Sequence, residues 1–378
     1  MAEKVLITGN EAAAEAAIRA GCRFYYGYPI TPQNELPGHM AVRMHEVGGT
    51  FIQAESELAA ISMVFGSAAA GARAMTSSSS PGISLKQEGI SYMAGAELPA
   101  VIVNVQRAGP GLGDISPAQS DYFQATKGGG HGDYHCIVLA PHTVQEFADL
   151  MYDAFDLADI YRTPVIVLAD GLLGQMMEPV EFCDPAKRSL PPKPWALTGA
   201  KGRQRNIVKS FYPVKGELEE FNKRLQEKYA LIRRKEPRAQ EVDVKGNVFR
   251  ASAGRHAGLC AKNTAEIILV AYGTSARICR EAMCTAKAQG LKLGLIRPIT
   301  LWPFPTEIIR RAAGKASAIL VVEMSAGQMV EDVRLTVEGR CRVEFFGRTG
   351  GGVPTSAEIL EAVRALRKPR KPRKKVTV

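Results

Sequence analysis

Residues 50–82 read TFIQAESELAAISMVFGSAAAGARAMTSSSSPG. Thr50–Gln53 is a β-branched and aromatic run that predicts a strand, Glu57 to Arg73 is alanine-rich with helical spacing, and Arg73–Ser77 predicts a second strand. The polar turn Thr76–Gly82 then opens another helix. Strand, helix and strand within about 30 residues make a βαβ unit, whose strands lie parallel with helices covering the sheet.

The alternation continues on both sides. Phe24–Tyr26, Ala100–Val105, Ile137–Ala140 and Pro164–Ala169 predict further strands between helical segments, so residues 1–185 are expected to form one α/β domain with a parallel sheet. Residues 186–262 have a different texture: Pro191-Pro192-Lys193-Pro194, many charges, and one clear helix from Gly216 to about Ile232, which predicts a connecting segment. Ile267–Ala271, Leu291–Ile296, Ala318–Val322 and Val343–Phe346 predict the strands of a smaller α/β domain over residues 263–366. Residues 367–378 read as a basic, disordered tail.

Composition narrows the function classes. With 378 residues and 46% apolar side chains, the chain can bury a substantial core. No stretch of about 18 apolar residues occurs, and Met1-Ala2-Glu3-Lys4-Val5 opens no signal peptide, so no membrane span and a cytoplasmic location are expected. The net charge of +10 owes seven positive charges to Arg367–Lys375, leaving the rest nearly balanced, which argues against nucleic acid. Seven scattered cysteines form no CxxC, so a zinc ribbon or a cysteine-ligated iron–sulfur cluster is not expected from this chain alone.

Four strand-to-helix turns carry the candidate chemistry. Tyr28-Pro29-Ile30-Thr31-Pro32 follows what reads as the first strand; Thr31 suits an N-cap and Pro32 the first helical position, with Thr31 either capping its helix or facing a ligand. Glu55 and Glu57 lie where a strand gives way to a helix N-terminus, a place that favours acids in any case. Thr76–Gly82 offers small polar side chains and close backbone approach. Arg107 ends the Ala100–Val105 strand and enters a glycine-rich turn, suited to clamping a carboxylate with two hydrogen bonds. All four fall at one sheet edge, where α/β proteins bind ligands. The loop Gly128–Asp133 either lines the cleft, through Gly130, His131 and Asp133, or is a plain connection.

In combination, YPITP (Tyr28–Pro32), Ala54–Gly82, AGAELPAVIVNVQRAGPG (Ala94–Gly111), TKGGGHGDY (Thr126–Tyr134), RPITLWPFP (Arg297–Pro305) and VVEMSAGQM (Val321–Met329) resemble the alpha subunits of 2-oxoacid:ferredoxin oxidoreductases. Within that family the branched-chain 2-oxoisovalerate type is most similar and the 2-oxoglutarate type next. The resemblance implies a thiamine-diphosphate pyrimidine-binding domain and a transketolase C-terminal-like domain. It makes Glu57 the catalytic glutamate that hydrogen-bonds the aminopyrimidine, with Glu55 as second choice. It assigns the substrate carboxylate to Thr31 and Arg107, and cofactor contacts to Pro29, Ile30, Ser79 and Ser80.

The implied reaction is CoA-dependent oxidative decarboxylation to acyl-CoA, CO2 and reduced ferredoxin. 2-Oxoisovalerate is the leading substrate; 2-oxoglutarate, pyruvate or an aryl 2-oxoacid are the alternatives. Ala169-Asp170-Gly171 only partly echoes a pyrophosphate-site motif and no asparagine pair follows it, so it reads as a strand end. Mg2+ and [4Fe–4S] clusters are therefore expected on partners: a beta-type pyrophosphate subunit, a gamma-type subunit and a ferredoxin-like delta subunit, in a dimer of hetero-oligomers. Two rivals remain at this stage, a transketolase- or dehydrogenase-type thiamine enzyme and a non-catalytic assembly subunit.

Overall fold

The computed structural model describes residues 4–182, 190–252 and 265–367; most of the basic tail lies outside them. The first domain runs β1 (Lys4–Thr8), α1 (Gly9–Arg19), β2 (Phe24–Gly27), α2 (Glu35–Glu46), β3 (Thr50–Gln53), α3 (Glu57–Ala69), β4 (Ala74–Ser78), α4 (Ser80–Gly95), β5 (Ala100–Gln106), α5 (Tyr122–Thr126), β6 (Ile137–Leu139), α6 (Val144–Tyr161), β7 (Pro164–Asp170), α7 (Gly171–Gln175) and β8 (Met177–Glu181). Helix α8 (Glu217–Lys235) follows. The second domain runs β9 (Arg238–Val242), β10 (Val248–Ser252), β11 (Ile267–Val270), α9 (Gly273–Ala288), β12 (Leu293–Pro298), β13 (Thr300–Trp302), α10 (Thr306–Ala313), β14 (Ala318–Glu323), α11 (Met329–Val337), β15 (Arg342–Gly347) and α12 (Ser356–Arg367).

The first sheet has the order β13-β6-β7-β5-β4-β2-β3, and all of its pairs are parallel except β13 with β6. Its central strands β4, β5 and β7 are buried throughout, as a sheet covered on both faces requires. The chain crosses outward from β2 to β3, then back past β2 to β4. With right-handed crossovers this reversal sends α2 to one face and α3 and α4 to the other. The switch point therefore lies between the turns after β2 and β4.

Several expectations need correction. β1 and β8 form an antiparallel pair that the sequence reading missed, so Tyr28–Pro32 follows the second strand of the chain. Thr31 is not the N-cap of α2: Gln33 N–H bonds back to the Ile30 carbonyl, the turn is completed before the helix, and Asn34 takes the cap position. Helix α3 ends at Ala69 and not near Arg73, because Gly71 turns the chain at φ +88°.

The boundary at residue 263 also shifts. β9 pairs antiparallel with β12, placing Arg238–Val242 inside the second sheet, whose order is β10-β9-β12-β11-β14-β15. β9 looked like linker because it is polar, and it is polar because it serves the domain joint: Arg238 pairs with Asp153, and Gln240 accepts from Arg297 Nε at 3.1 Å. β13 in turn leaves the second domain to complete the first sheet.

That joint explains the Arg297–Pro305 motif. Fully buried Arg297 donates to Glu146 Oε1 at 2.8 Å, and His142 Nδ1 lies 2.5 Å from Glu146 Oε2. Burial pushes the Glu146 carboxyl up, but the His142 hydrogen bond and the Arg297 charge prevail and hold it at about 2.

Candidate functional site

β3, β2, β4 and β5 are adjacent and parallel, so the turns that follow them meet at one sheet edge. This is the edge the sequence reading anticipated. After β3, Ser56 caps α3 by accepting from Ala59 N–H at 3.2 Å, which fixes Glu57 in the first helical turn. Glu57 is buried, whereas Glu55 is exposed. After β4, α4 approaches so closely that a Cβ on Gly82 would stand 2.1 Å from Ser78 Oγ and 2.7 Å from Glu57 Oε1. Ser78 Oγ and Ser79 Oγ are buried with no hydrogen-bond partner. An unfilled hydroxyl beside a carboxylate, as Ser78 stands to Glu57, is what a polar ring can satisfy.

After β5, Arg107 is held from three directions. Its N–H donates to Ser80 Oγ at 3.1 Å, Nη1 to the Thr31 carbonyl at 2.9 Å, and Nη2 to the Leu112 carbonyl at 3.2 Å. Arg107 Nε is buried and unpartnered. Thr31 is half-buried, and its hydroxyl accepts from Asn34 Nδ2 at 3.2 Å. Pro29 is exposed and Ile30 half-buried in the same turn.

Arg107, Ser80, Pro81 and Ser84 line a cleft of about 560 Å³, closed from the second domain by Met324, Ser325 and Gln328. Buried Glu323 shapes that second wall: burial pushes its carboxyl up, while it accepts from the N–H groups of Gln328, Met329 and Val330. This is the physical content of the Val321–Met329 motif. Glu57 does not line the cleft. Ser80, Pro81 and Ser84 occupy one side of α4 and Gly82 the other, so the carboxylate and the cleft flank the first turn of that helix. A second cavity of about 660 Å³ surrounds Trp302 and His135 and includes none of Glu57, Thr31 and Arg107.

Two residues at the site gave no sequence signal. Asp121 is half-buried and accepts from Ser80 Oγ at 2.6 Å and Asn104 Nδ2 at 2.9 Å; desolvation of its carboxyl pushes it up against those bonds. Lys86 is buried beneath Glu57. Both lie in stretches with no motif of their own.

The glycine loop is not brought into the cleft. His131 is exposed, its carbonyl accepts from Ser91 Oγ, and its ring meets Tyr92 edge-on. Gly130 N–H donates to Tyr134 Oη, and the Asp133 carbonyl accepts from Gln226 of α8. Ser91 stands eleven residues beyond Ser80 on α4, roughly 16 Å along the axis. Asp170 also has a structural task. It caps α7 and accepts from Thr274 Oγ1 at 2.8 Å, joining the two domains. Among the described residues no group of His, Cys, Asp and Glu is arranged to hold a metal.

Residues 15–229 match the family described as pyruvate flavodoxin/ferredoxin oxidoreductase, thiamine diphosphate-binding, and residues 265–359 match pyruvate:ferredoxin oxidoreductase core domain II. The chain is 51% identical over 360 residues to the ketoisovalerate oxidoreductase subunit VorB of Methanothermobacter marburgensis, covering 95% of this chain and 97% of that one. It is 38% identical to the 2-oxoglutarate synthase subunit KorA of Archaeoglobus fulgidus, covering 91% and 95%. The 2-oxoglutarate:ferredoxin oxidoreductase of Magnetococcus marinus, solved with 2-oxoglutarate, coenzyme A and succinyl-CoA, superposes with a TM-score of 0.82 at 26% identity, over 97% of this chain and 65% of that one. A split-gene transketolase shares the fold at a TM-score of 0.56 and 12% identity. The chain therefore belongs to the 2-oxoacid:ferredoxin oxidoreductases, as an alpha-type subunit.

Proposed function

We propose that this subunit binds the aminopyrimidine of thiamine diphosphate through Glu57 and the carboxylate of a branched-chain 2-oxoacid through Arg107 and the Thr31 turn, within a CoA-acylating, ferredoxin-reducing complex. Buried Glu57, with the unfilled Ser78 hydroxyl beside it, fits a ring that carries both donors and acceptors. Thiamine diphosphate, when bound, supplies an electron sink for the carbon that loses CO2. Glu57 would share a proton with the ring nitrogen it faces, and Arg107 would fix the substrate by a charge-assisted bond from its free Nε. Mg2+, the diphosphate site and [4Fe–4S] clusters would come from beta-, gamma- and delta-type partners, in the cytoplasm. No helix among the described residues is long and apolar enough to cross a membrane.

One observation carries the substrate class. Arg107 is the single cationic side chain among the residues that line the cleft, and Asp121 the single acidic one; Ala108, Pro110, Ala118, Met324 and Ala326 are apolar. One carboxylate is matched and a second would meet no counter-charge among the described residues that line the cleft, which favours 2-oxoisovalerate over 2-oxoglutarate. The joint presence of Glu57, Thr31 and Arg107 speaks against a non-catalytic assembly subunit.

The test is a reconstituted complex assayed with a viologen acceptor on 2-oxoisovalerate, 2-oxoglutarate, pyruvate and phenylpyruvate. The highest kcat/KM is expected for 2-oxoisovalerate. A preference for 2-oxoglutarate would refute the substrate reading and leave the family untouched.

A further inference from the structure

The main chain of Arg107 depends on one hydroxyl that has two possible orientations. A serine hydroxyl carries one proton and two lone pairs. Ser80 Oγ stands 3.1 Å from the Arg107 N–H, which can only donate to it, and 3.2 Å from the Arg107 carbonyl, which can only accept from it. The two contacts compete for the direction in which the Ser80 proton points.

Asp121 decides that competition. Its Oδ2 accepts from Ser80 Oγ at 2.6 Å, the length of a charge-assisted O–H···O bond. The proton goes to the carboxylate, and the lone pairs of Ser80 are left for the Arg107 N–H.

Asp121 is in turn gripped from both domains. On β5, Asn104 Nδ2 donates to the same Oδ2 at 2.9 Å, and Gln106 Oε1 accepts from the Asp121 N–H at 3.1 Å. From the second domain the Gln328 side chain brackets it. Its Nε2 donates to the Ser120 carbonyl at 2.7 Å and its Oε1 accepts from the Phe123 N–H at 2.8 Å. The strand end that presents the Arg107 guanidinium therefore also fixes the carboxylate, and the second domain fixes the chain on either side of it.

We propose that Asp121 is a positioning residue for Arg107: by holding the Ser80 hydroxyl as an acceptor, it fixes the main chain from which the guanidinium reaches the cleft. The inference rests on the reading of Arg107 as the residue that binds the 2-oxoacid carboxylate. It gives the acid that lines the cleft with that arginine a task requiring no contact with substrate. Its loss should weaken the hold on the 2-oxoacid carboxylate equally in the ground and transition states, which raises KM and spares kcat.

The experiment is steady-state kinetics on the reconstituted complex with saturating thiamine diphosphate. Asp121→Ala should raise KM for 2-oxoisovalerate about fivefold, the effect of one hydrogen bond, with kcat and KM for CoA within about twofold of wild type. Asp121→Asn keeps an acceptor oxygen and should restore KM to within about twofold of wild type. Asp121→Leu replaces the alanine variant if that one does not assemble. Ser80→Ala breaks the same link, so the double variant should raise KM no further than Ser80→Ala alone. An unchanged KM in Asp121→Ala, an equal rise in Asp121→Asn, an equal rise in KM for CoA, or additive effects in the double variant overturns the proposal. Arg107→Ala separates the two readings. If it leaves KM unchanged, the Arg107 reading falls and the Asp121 inference with it, whereas a rise in Arg107→Ala with none in Asp121→Ala removes Asp121 alone.

Discussion

Arg107 Nη1 donates to the Thr31 carbonyl at 2.9 Å, so the guanidinium that faces the cleft is anchored by the backbone of the turn after β2. The two residues lie 76 positions apart in sequence and on opposite sides of the sheet's switch point. Arg107→Ala is expected to raise KM for the 2-oxoacid at least tenfold, since a hydrogen bond to a charged group contributes about 1.5–3 kcal/mol. Thr31→Ala should cost less, because it is the carbonyl, not the hydroxyl, that holds Arg107. Steady-state kinetics on the reconstituted complex decides; an unchanged KM in Arg107→Ala would remove that residue from the carboxylate site.

Gly82→Ala places a methyl group against Ser78 Oγ and Glu57 Oε1. Either α4 retreats or the carboxylate turns away, and both loosen the cofactor. Thiamine diphosphate affinity should fall tenfold or more while KM for CoA stays put. Binding titrations that show wild-type affinity would mean that Glu57 does not face the ring.

Breaking the Arg297–Glu146 pair should unfold more than it disables. Arg297→Met leaves Glu146 buried with only His142 opposite, and such a loss costs about 3–5 kcal/mol. Because the folded pKa of Glu146 is depressed from 4.5 to about 2, its contribution to stability is present above pH 4.5 and disappears as pH falls toward 2. Glu146→Gln should therefore flatten the acid limb of the stability curve in that window. Thermal melts between pH 2 and 6 test this, and identical acid limbs in both proteins would contradict it.

The sequence disclosed most of this where the physics was local. Each predicted strand of the first sheet, from Phe24 to Ala169, is present within two residues of its predicted bounds, most plainly β5, β6 and β7, which are buried throughout and chiefly apolar. The placement of Glu57 and Arg107 at the sheet edge is legible because the turns after parallel strands meet at one edge. What stayed hidden depended on contacts across long separations. β9 is a strand whose polar side chains are explained only by Asp153 and Arg297 of other elements. Lys86 resembles any exposed helical lysine until α3 is packed over it, and the glycine loop at His131 is drawn away by α4 and α8.

The central claim is that Glu57 activates the cofactor. Single-turnover decarboxylation of 2-oxoisovalerate by the assembled complex carrying Glu57→Gln tests it, with the thermal midpoint measured alongside. The account predicts a rate reduced at least a hundredfold at an unchanged midpoint, within the range that general acid–base catalysis contributes, about 10²–10⁴-fold. Normal decarboxylation by that variant would contradict it.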